Sequence, residues 1–258
     1  MNADARDLET ADRALIAAME VVRSHARTDV PFEWKDGHSL VTAADREVDE
    51  LLRRTVPSPG DGWLSEERDD DGSRHRSRRV WIVDPLDGTR SFVAGRADHS
   101  VSIGLVVDGE PVLGAIGASA IGVRVVGGLG LGVRVHGDPR LPWPPADGRL
   151  RVLASRSETK RGEWARWQGG ACHLLPVGSV AWKLALVAAG IADATWTWNG
   201  KNEWDVAAGA ALVAAAGGDV WRPDGGVVSW NRPRARFPSF AAAGPGLRAH
   251  VASLSGSR

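Results

Sequence analysis

The apolar positions of this chain change their period along its length, and each change marks an element. Leu8, Ala11, Leu15, Ala18, Met19 and Val22 recur every three or four residues. That is the spacing of one helix face, so residues 4–27 are expected to form an amphipathic helix, closed by Val30-Pro31. Lys35-Asp36-Gly37 reads as a turn. A second helix follows Thr42, with Ala44, Val48, Leu51 and Leu52 as its apolar stripe and Pro57 beyond its end. Residues 68–79 are a charged run around Gly72, expected as a solvated loop. Val80-Trp81-Ile82-Val83 is a short unbroken apolar run, the mark of a buried strand. Residues 101–107 and 112–116 flank Asp108-Gly109-Glu110 as a hairpin, and residues 124–126 and 133–135 read as strands of the same sheet.

Pro142, Pro144 and Pro145 fall within residues 141–148, where neither a helix nor a central strand can continue. This gives the expected boundary between an N-terminal half, 1–145, and a C-terminal half, 146–258. After it the period alternates: strand 151–154, helix 158–167, helix 180–189, strand 193–198, helix 206–216 and strand 219–221. Alternating β and α segments predict a largely parallel sheet with helices packed on it.

Composition narrows the function. Lys plus Arg and Asp plus Glu are both 32, so the net charge is zero, and nonspecific nucleic-acid binding is not expected. The one cysteine, Cys172, cannot form an internal disulfide and reads as a buried small residue. Residues 1–12 are acidic with no apolar run, and residues 112–135 are broken by Arg124, Arg134 and glycines. Neither a secretory leader nor a membrane span is expected, and the default location is the cytoplasm. His38, His99 and His173 are dispersed without zinc spacing. Gly127-Gly128-Leu129-Gly130-Leu131-Gly132 fails the dinucleotide pattern, because Val135 stands at its last position and a hairpin surrounds it.

The chemistry concentrates in Trp81-Ile82-Val83-Asp84-Pro85-Leu86-Asp87-Gly88-Thr89. Pro85 keeps Asp84 out of helical geometry, Asp87-Gly88 turns the chain, and Thr89 starts a helix. Two carboxylates at a strand-to-helix turn suit a hard divalent cation. The N–H groups of Gly88 and Thr89 could hold a phosphate oxygen. Three further acidic segments accompany this turn: Thr42-Ala43-Ala44-Asp45, Ser65-Glu66-Glu67 and Glu203-Trp204-Asp205-Val206-Ala207-Ala208-Gly209.

In this order the four segments resemble the inositol monophosphatase superfamily, which includes inositol monophosphatases, fructose bisphosphatases and bisphosphate nucleotidases. The resemblance runs from about Leu8 to about Ala243. It implies an α/β fold, a layered α-β-α-β-α sandwich with an antiparallel sheet in the N-terminal half and a mostly parallel sheet in the C-terminal half. It implies two or three Mg2+ ions: Glu66, Asp84 and the Leu86 carbonyl on the first, Asp84, Asp87 and Asp205 on the second, Glu66 reaching a third through water. Thr89, paired with Asp45, would orient and help deprotonate the attacking water. Asp87, Gly88 and Thr89 would touch the substrate. Lithium inhibition is expected, and a homodimer is possible because relatives often pair. Ser65 departs from a common Gly, Leu40 from a common Pro, and Gly117-Ala118-Ser119 lacks a usual Pro.

Gly178-Ser179-Val180-Ala181-Trp182-Lys183 resembles the bisphosphate nucleotidase branch, in which Ser179 and Lys183 would face the substrate. The expected substrate is therefore a small phosphorylated metabolite such as adenosine 3',5'-bisphosphate, with an inositol monophosphate as the alternative. Arg156 reads as an ordinary loop residue, with contact to a second phosphate as the alternative.

Overall fold

The computed structural model describes residues 3–27, 29–35 and 39–256. Helix α1 (Ala5–His25) carries the expected stripe, with Asp4 accepting from the Arg6 N–H as its N-cap. A hairpin not read from the sequence follows, β1 (Phe32–Lys35) and β2 (Ser39–Thr42). The turn expected at Lys35-Asp36-Gly37, and His38, lie largely outside the described residues. Then come α2 (Ala43–Thr55), β3 (Gly62–Ser65), β4 (Arg79–Asp87), α3 (Thr89–Val93), β5 (Ser100–Val107), β6 (Glu110–Ala118), β7 (Val123–Gly128) and β8 (Gly132–His136). Past the proline-rich segment lie β9 (Leu150–Ser155), α4 (Arg156–Lys160), β10 (Cys172–Val177), α5 (Val180–Ala188), β11 (Ala194–Thr197), β12 (Lys201–Asn202) and α6 (Glu203–Ala215). The chain ends with β13 (Asp219–Trp221), β14 (Arg236–Phe237), β15 (Phe240–Ala243) and α7 (Arg248–Ser255).

Strands β3 to β8 form one sheet in sequence order, antiparallel except for the edge pair β3–β4. A second sheet runs β10-β9-β11-β15-β13. Its first two pairings are parallel, as expected, and β15 adds two antiparallel ones, so the sheet is mixed. Helices α1 and α2 cover one face of the first sheet through Leu15, Met19, Val48 and Leu52. Helices α5 and α6 fill the space between the sheets. Trp164, Trp167 and α7 cover the outer face of the second. The result is the α-β-α-β-α sandwich. Helix α6 lies very close to the first sheet because Gly104 and Gly114, paired across β5 and β6, lack side chains: a Cβ on either would come within 2.8 Å or 2.1 Å of the Ala208 backbone.

Two expectations are corrected. The helix expected over residues 158–167 is only α4 plus a 3-10 turn at Ala165–Trp167. Gly162 takes a left-handed backbone (φ 80°), and the Glu163 N–H returns to the Glu158 carbonyl, which ends α4. The charged run 68–79 is not uniformly solvated. Arg74 is fully buried, bonded to Asp70, Asn231 and the Arg232 carbonyl. That pairing joins the run to the segment leading into β14. Among the described residues no helix is long and apolar enough to cross a membrane.

Candidate active site

A cleft of about 760 Å³ opens between the two sheets, and the expected acids form its floor. Strand β4 continues through Pro85 by shifting register between Asp84 and Asp87. The bulge turns Asp84, 1% exposed, toward the cleft, and its Oδ1 accepts from the Leu86 N–H at 3.0 Å. Carboxylate oxygens of Glu66, Asp84 and Asp205 lie within 4.8 Å of one another. Asp205 is held at the third position of α6, where its Oδ2 accepts from the Asn202 N–H at 2.8 Å.

These acids are arranged against their own ionisation. Burial, then the charges of Asp205 and Glu67, push Glu66 up to about 8. Burial, then Asp87, pushes Asp205 up to about 7, and Asp84 is raised well above the ordinary carboxylate range by burial and its neighbours. Among the described residues no Lys or Arg forms an ion pair with any of the three. Buried, mutually repelling oxygens without a cationic partner fit a divalent cation, and an oxygen-only donor set suits Mg2+ better than softer metals.

Asp45 and Thr89 come together as expected. Asp45 Oδ2 accepts from the Thr42 N–H at 2.8 Å and the Thr42 hydroxyl at 2.6 Å, and its Oδ1 is 3.1 Å from Thr89 Oγ1. Thr89 Oγ1 also lies 3.0 Å from the Leu86 carbonyl, so its single proton has two acceptors to choose between. Burial raises Asp45 against the lowering effect of the Thr42 bonds. Gly88, with φ 93°, starts α3 and lines the cleft beside Thr89.

Asp87 and Ser179 both line the cleft and are bonded to each other. Asp87 lies outside the tight group of three: its Oδ2 accepts from the Ser179 hydroxyl and the Ala181 N–H, both at 2.7 Å. Ser179 lines the cleft, but its hydroxyl is engaged by Asp87, by the Ser100 hydroxyl at 2.9 Å and by the Trp182 N–H at 2.9 Å. It holds Asp87 and caps α5 from a left-handed backbone (φ 53°), so its hydroxyl supports the acid. Gly178 before it has no room for a side chain, since a Cβ would sit 2.7 Å from the Asp98 carbonyl.

Lys183 is 4% exposed and lines the cleft, and among the described residues its ammonium has no hydrogen bond or ion pair. Burial, then the charge of Lys201, lowers it to about 8. Arg156 also lines the cleft, steadied by Asp98 through Nε at 2.8 Å.

The sequence reading missed several groups here. Lys35 donates to the Glu66 carbonyl and pairs with Glu67, both at 2.8 Å. Lys160, Lys201 and Arg236 line the cleft wall. Lys201 stands four residues before Asp205 and could have been noticed there, whereas Arg236 reaches the site only because β14 pairs with β12. Ser65, at a position where Gly is common, donates to Asp49 at 2.6 Å and accepts from the Glu67 N–H at 3.2 Å, so its hydroxyl fixes the turn that carries Glu66. Cys172 is buried, and burial raises its thiol; His99 is buried between the Arg96 carbonyl and Ser119, and burial lowers it. Neither lines the cleft.

An acid floor open to a cation, beside a hydroxyl–carboxylate pair and ringed by basic side chains, is the equipment of a phosphoric monoester hydrolase. Residues 4–253 match the inositol monophosphatase family, and the chain belongs to that family as a phosphatase. Among its relatives, the 3'-phosphoadenosine 5'-phosphate phosphatase of Mycobacterium leprae is 34% identical over 92% of this chain and 91% of its own length. The inositol-1-monophosphatase of Mesorhizobium japonicum is 32% identical over 81% and 84%. The solved CysQ of Bacteroides thetaiotaomicron superposes with a TM-score of 0.77 at 28% identity, covering 93% of this chain and 97% of that one.

Proposed function

We propose that the protein is a Mg2+-dependent phosphomonoesterase whose substrate carries two phosphates, with a nucleoside bisphosphate such as adenosine 3',5'-bisphosphate as the best fit. The carrying observation is Lys183. An ammonium on a side chain only 4% exposed, with no ion pair among the described residues, is costly, and an anionic ligand in the cleft would offset that cost. Arg156, Lys160, Lys201 and Arg236 in the same wall exceed what one phosphate above a metal site needs. The name of the M. leprae relative agrees with this reading.

Glu66, Asp84 and Asp205, with the Leu86 carbonyl and the free oxygen of Asp87 nearby, would hold the metal. Bound there, the cation would make water more acidic and draw charge from the phosphate oxygens. Thr89 and Asp45 do the rest of the positioning. When Thr89 Oγ1 donates to Asp45, its lone pairs face the incoming water and fix its approach. The water proton passes through Thr89 to Asp45, the water oxygen bonds to phosphorus, and the ester P–O bond breaks; the leaving alkoxide takes a proton from solvent water in the open cleft to become the alcohol, and Asp45 returns its proton to solvent as inorganic phosphate leaves.

The test is phosphate release with Mg2+ from adenosine 3',5'-bisphosphate and from inositol 1-phosphate side by side. A higher kcat/KM for the nucleotide supports the reading. A preference for inositol phosphate would move the protein to the alternative and leave Lys183 without a role in the reaction.

A further inference from the structure

Asp98 lies in the loop between α3 and β5 and does not itself line the catalytic cleft. Three donors from two other parts of the chain converge on it. Its Oδ2 accepts from Arg156 Nε at 2.8 Å, from Arg156 Nη2 and from the Gly178 N–H at 2.5 Å. Arg156 opens α4, Gly178 stands just before the α5 N-cap, and both line the cleft. The loop is pressed against the turns beside it. A Cβ on Gly178 would sit 2.7 Å from the Asp98 carbonyl oxygen, and one on Gly88 3.1 Å from the same atom. One carboxylate therefore joins the α4 wall of the cleft to the turn that carries Ser179.

Stability does not explain why this residue carries a charge. All three donors meet one oxygen, and an amide oxygen could accept the same bonds. The other oxygen, Oδ1, is buried and has no partner among the described residues, which costs the fold free energy. The Arg156 side chain is 42% exposed, and an ion pair open to water on one side adds little to folding. What the charge achieves is orientation. With Nε and Nη2 both held by Asp98, the plane of the guanidinium is fixed. Its third nitrogen, Nη1, forms no hydrogen bond among the described residues, on a side chain that lines the cleft. A cation fixed in advance loses less freedom on meeting an anion than a mobile one. Lys160, one turn further along α4, lines the same wall. This wall belongs to the half of the second sheet, whereas Glu66 and Asp84 come from β3 and β4 of the first. The matching ligand therefore carries a second anionic group besides the one held at the acid floor.

We propose that Asp98 is a positioning residue for substrate selection: it aims the Arg156 guanidinium at the second phosphate of the substrate, the one not held over the acid floor. The proposal rests on the two-phosphate reading above, and one set of measurements separates their failures. kcat/KM is measured for adenosine 3',5'-bisphosphate and for the better of adenosine 3'-phosphate and adenosine 5'-phosphate, and the ratio is the readout. Arg156→Gln lowers that ratio about 10-fold or more, the scale of a lost bond to a charged group. Asp98→Asn keeps an acceptor for the Gly178 N–H, removes the charge and lowers the ratio about 5-fold, through KM for the bisphosphate. In the Arg156→Gln background, Asp98→Asn lowers it by less than about 2-fold, because the two residues act as one unit. Arg156→Lys keeps the cation, loses the fork held by Asp98 and lowers the ratio about 3-fold or more, which tests the aim even if an Asp98 variant does not fold. An unchanged ratio in Asp98→Asn or in Arg156→Lys, with a wild type that prefers the bisphosphate, would overturn the assignment of Asp98. So would equal losses on both substrates that add to those of Arg156→Gln, the mark of a clamp that only supports the Gly178 turn. A wild type with no preference for the bisphosphate over either monophosphate would overturn the two-phosphate reading, and the role of Asp98 with it.

Discussion

The two ends of β4 carry the same kinds of charged residue in opposite states. At its start, Arg79 donates to both oxygens of Asp7 at 2.9 and 3.0 Å and to Asp61 at 2.9 Å, and the other Asp61 oxygen accepts from the Trp81 N–H at 2.9 Å. Asp7, through its hydrogen bonds first, holds Arg79 above its ordinary value. Every charge there has its partner within the chain. At the other end, among the described residues, Asp84 meets Glu66 and Asp205 with no Lys or Arg in an ion pair with any of them, and Lys183, which also lines the cleft, is buried without an ion pair. Saturated charges hold a fold together. Unsaturated buried charges lower stability on their own and become favourable only when something binds.

The sharpest way to break this contrast is to neutralise one acid at each end. Asp84→Asn should reduce turnover about 1,000-fold or more, the scale of several kcal/mol of metal stabilisation, while the metal-free protein melts no lower than wild type. Asp61→Asn should leave turnover within about 2-fold and cost about 2 kcal/mol in denaturant unfolding, as expected for hydrogen bonds to charged partners. Similar effects from the two substitutions would erase the distinction.

Next in size is Thr89→Val, which keeps the shape and removes the hydroxyl. A loss of about 100-fold or more in kcat with Mg2+ affinity unchanged is the expected result, and calorimetry on the same sample reads the affinity. Lys183→Met should raise KM for a nucleoside bisphosphate about 10-fold or more and also raise Tm, because a buried ammonium is replaced by an apolar chain of similar length. A lower Tm with an unchanged KM would make Lys183 structural.

The smallest effect is the pH dependence of the metal-free protein. Glu66, Asp205 and Asp84 ionise at higher pH when folded than the roughly 4 to 4.5 of an unfolded chain. Between about pH 4.5 and 8 the folded state therefore binds more protons, and stability must fall as pH rises through that window. Tm in EDTA should drop from pH 5 to pH 8, and saturating Mg2+ should reverse the slope. A rising Tm in EDTA would show that the acids are already compensated.

How much of this was legible follows from how locally each feature is encoded. The turn from Asp84 to Thr89 could be read residue by residue, because Pro85 and Gly88 impose their geometry on immediate neighbours. Asp45 and Asp205 were visible as acids entering helices, and both indeed sit at the third helical position. The engagement of Ser179 with Asp87 spans 92 residues, and no local pattern announces it. The same holds for Arg74, whose charged surroundings read as surface while its partners lie 157 and 158 residues away. Strand β15 was missed because Phe240-Ala241-Ala242-Ala243 has little β-branched character and becomes a strand through its central place between β11 and β13.

The most direct measurement is phosphate release from adenosine 3',5'-bisphosphate at pH 7 as a function of Mg2+, in wild type and in Asp84→Asn. The expected result is saturable activation in wild type, silence in EDTA restored by added Mg2+, and no activation in the variant. Full turnover in EDTA, or normal Mg2+ activation without the Asp84 carboxylate, would contradict the assignment of the acid floor.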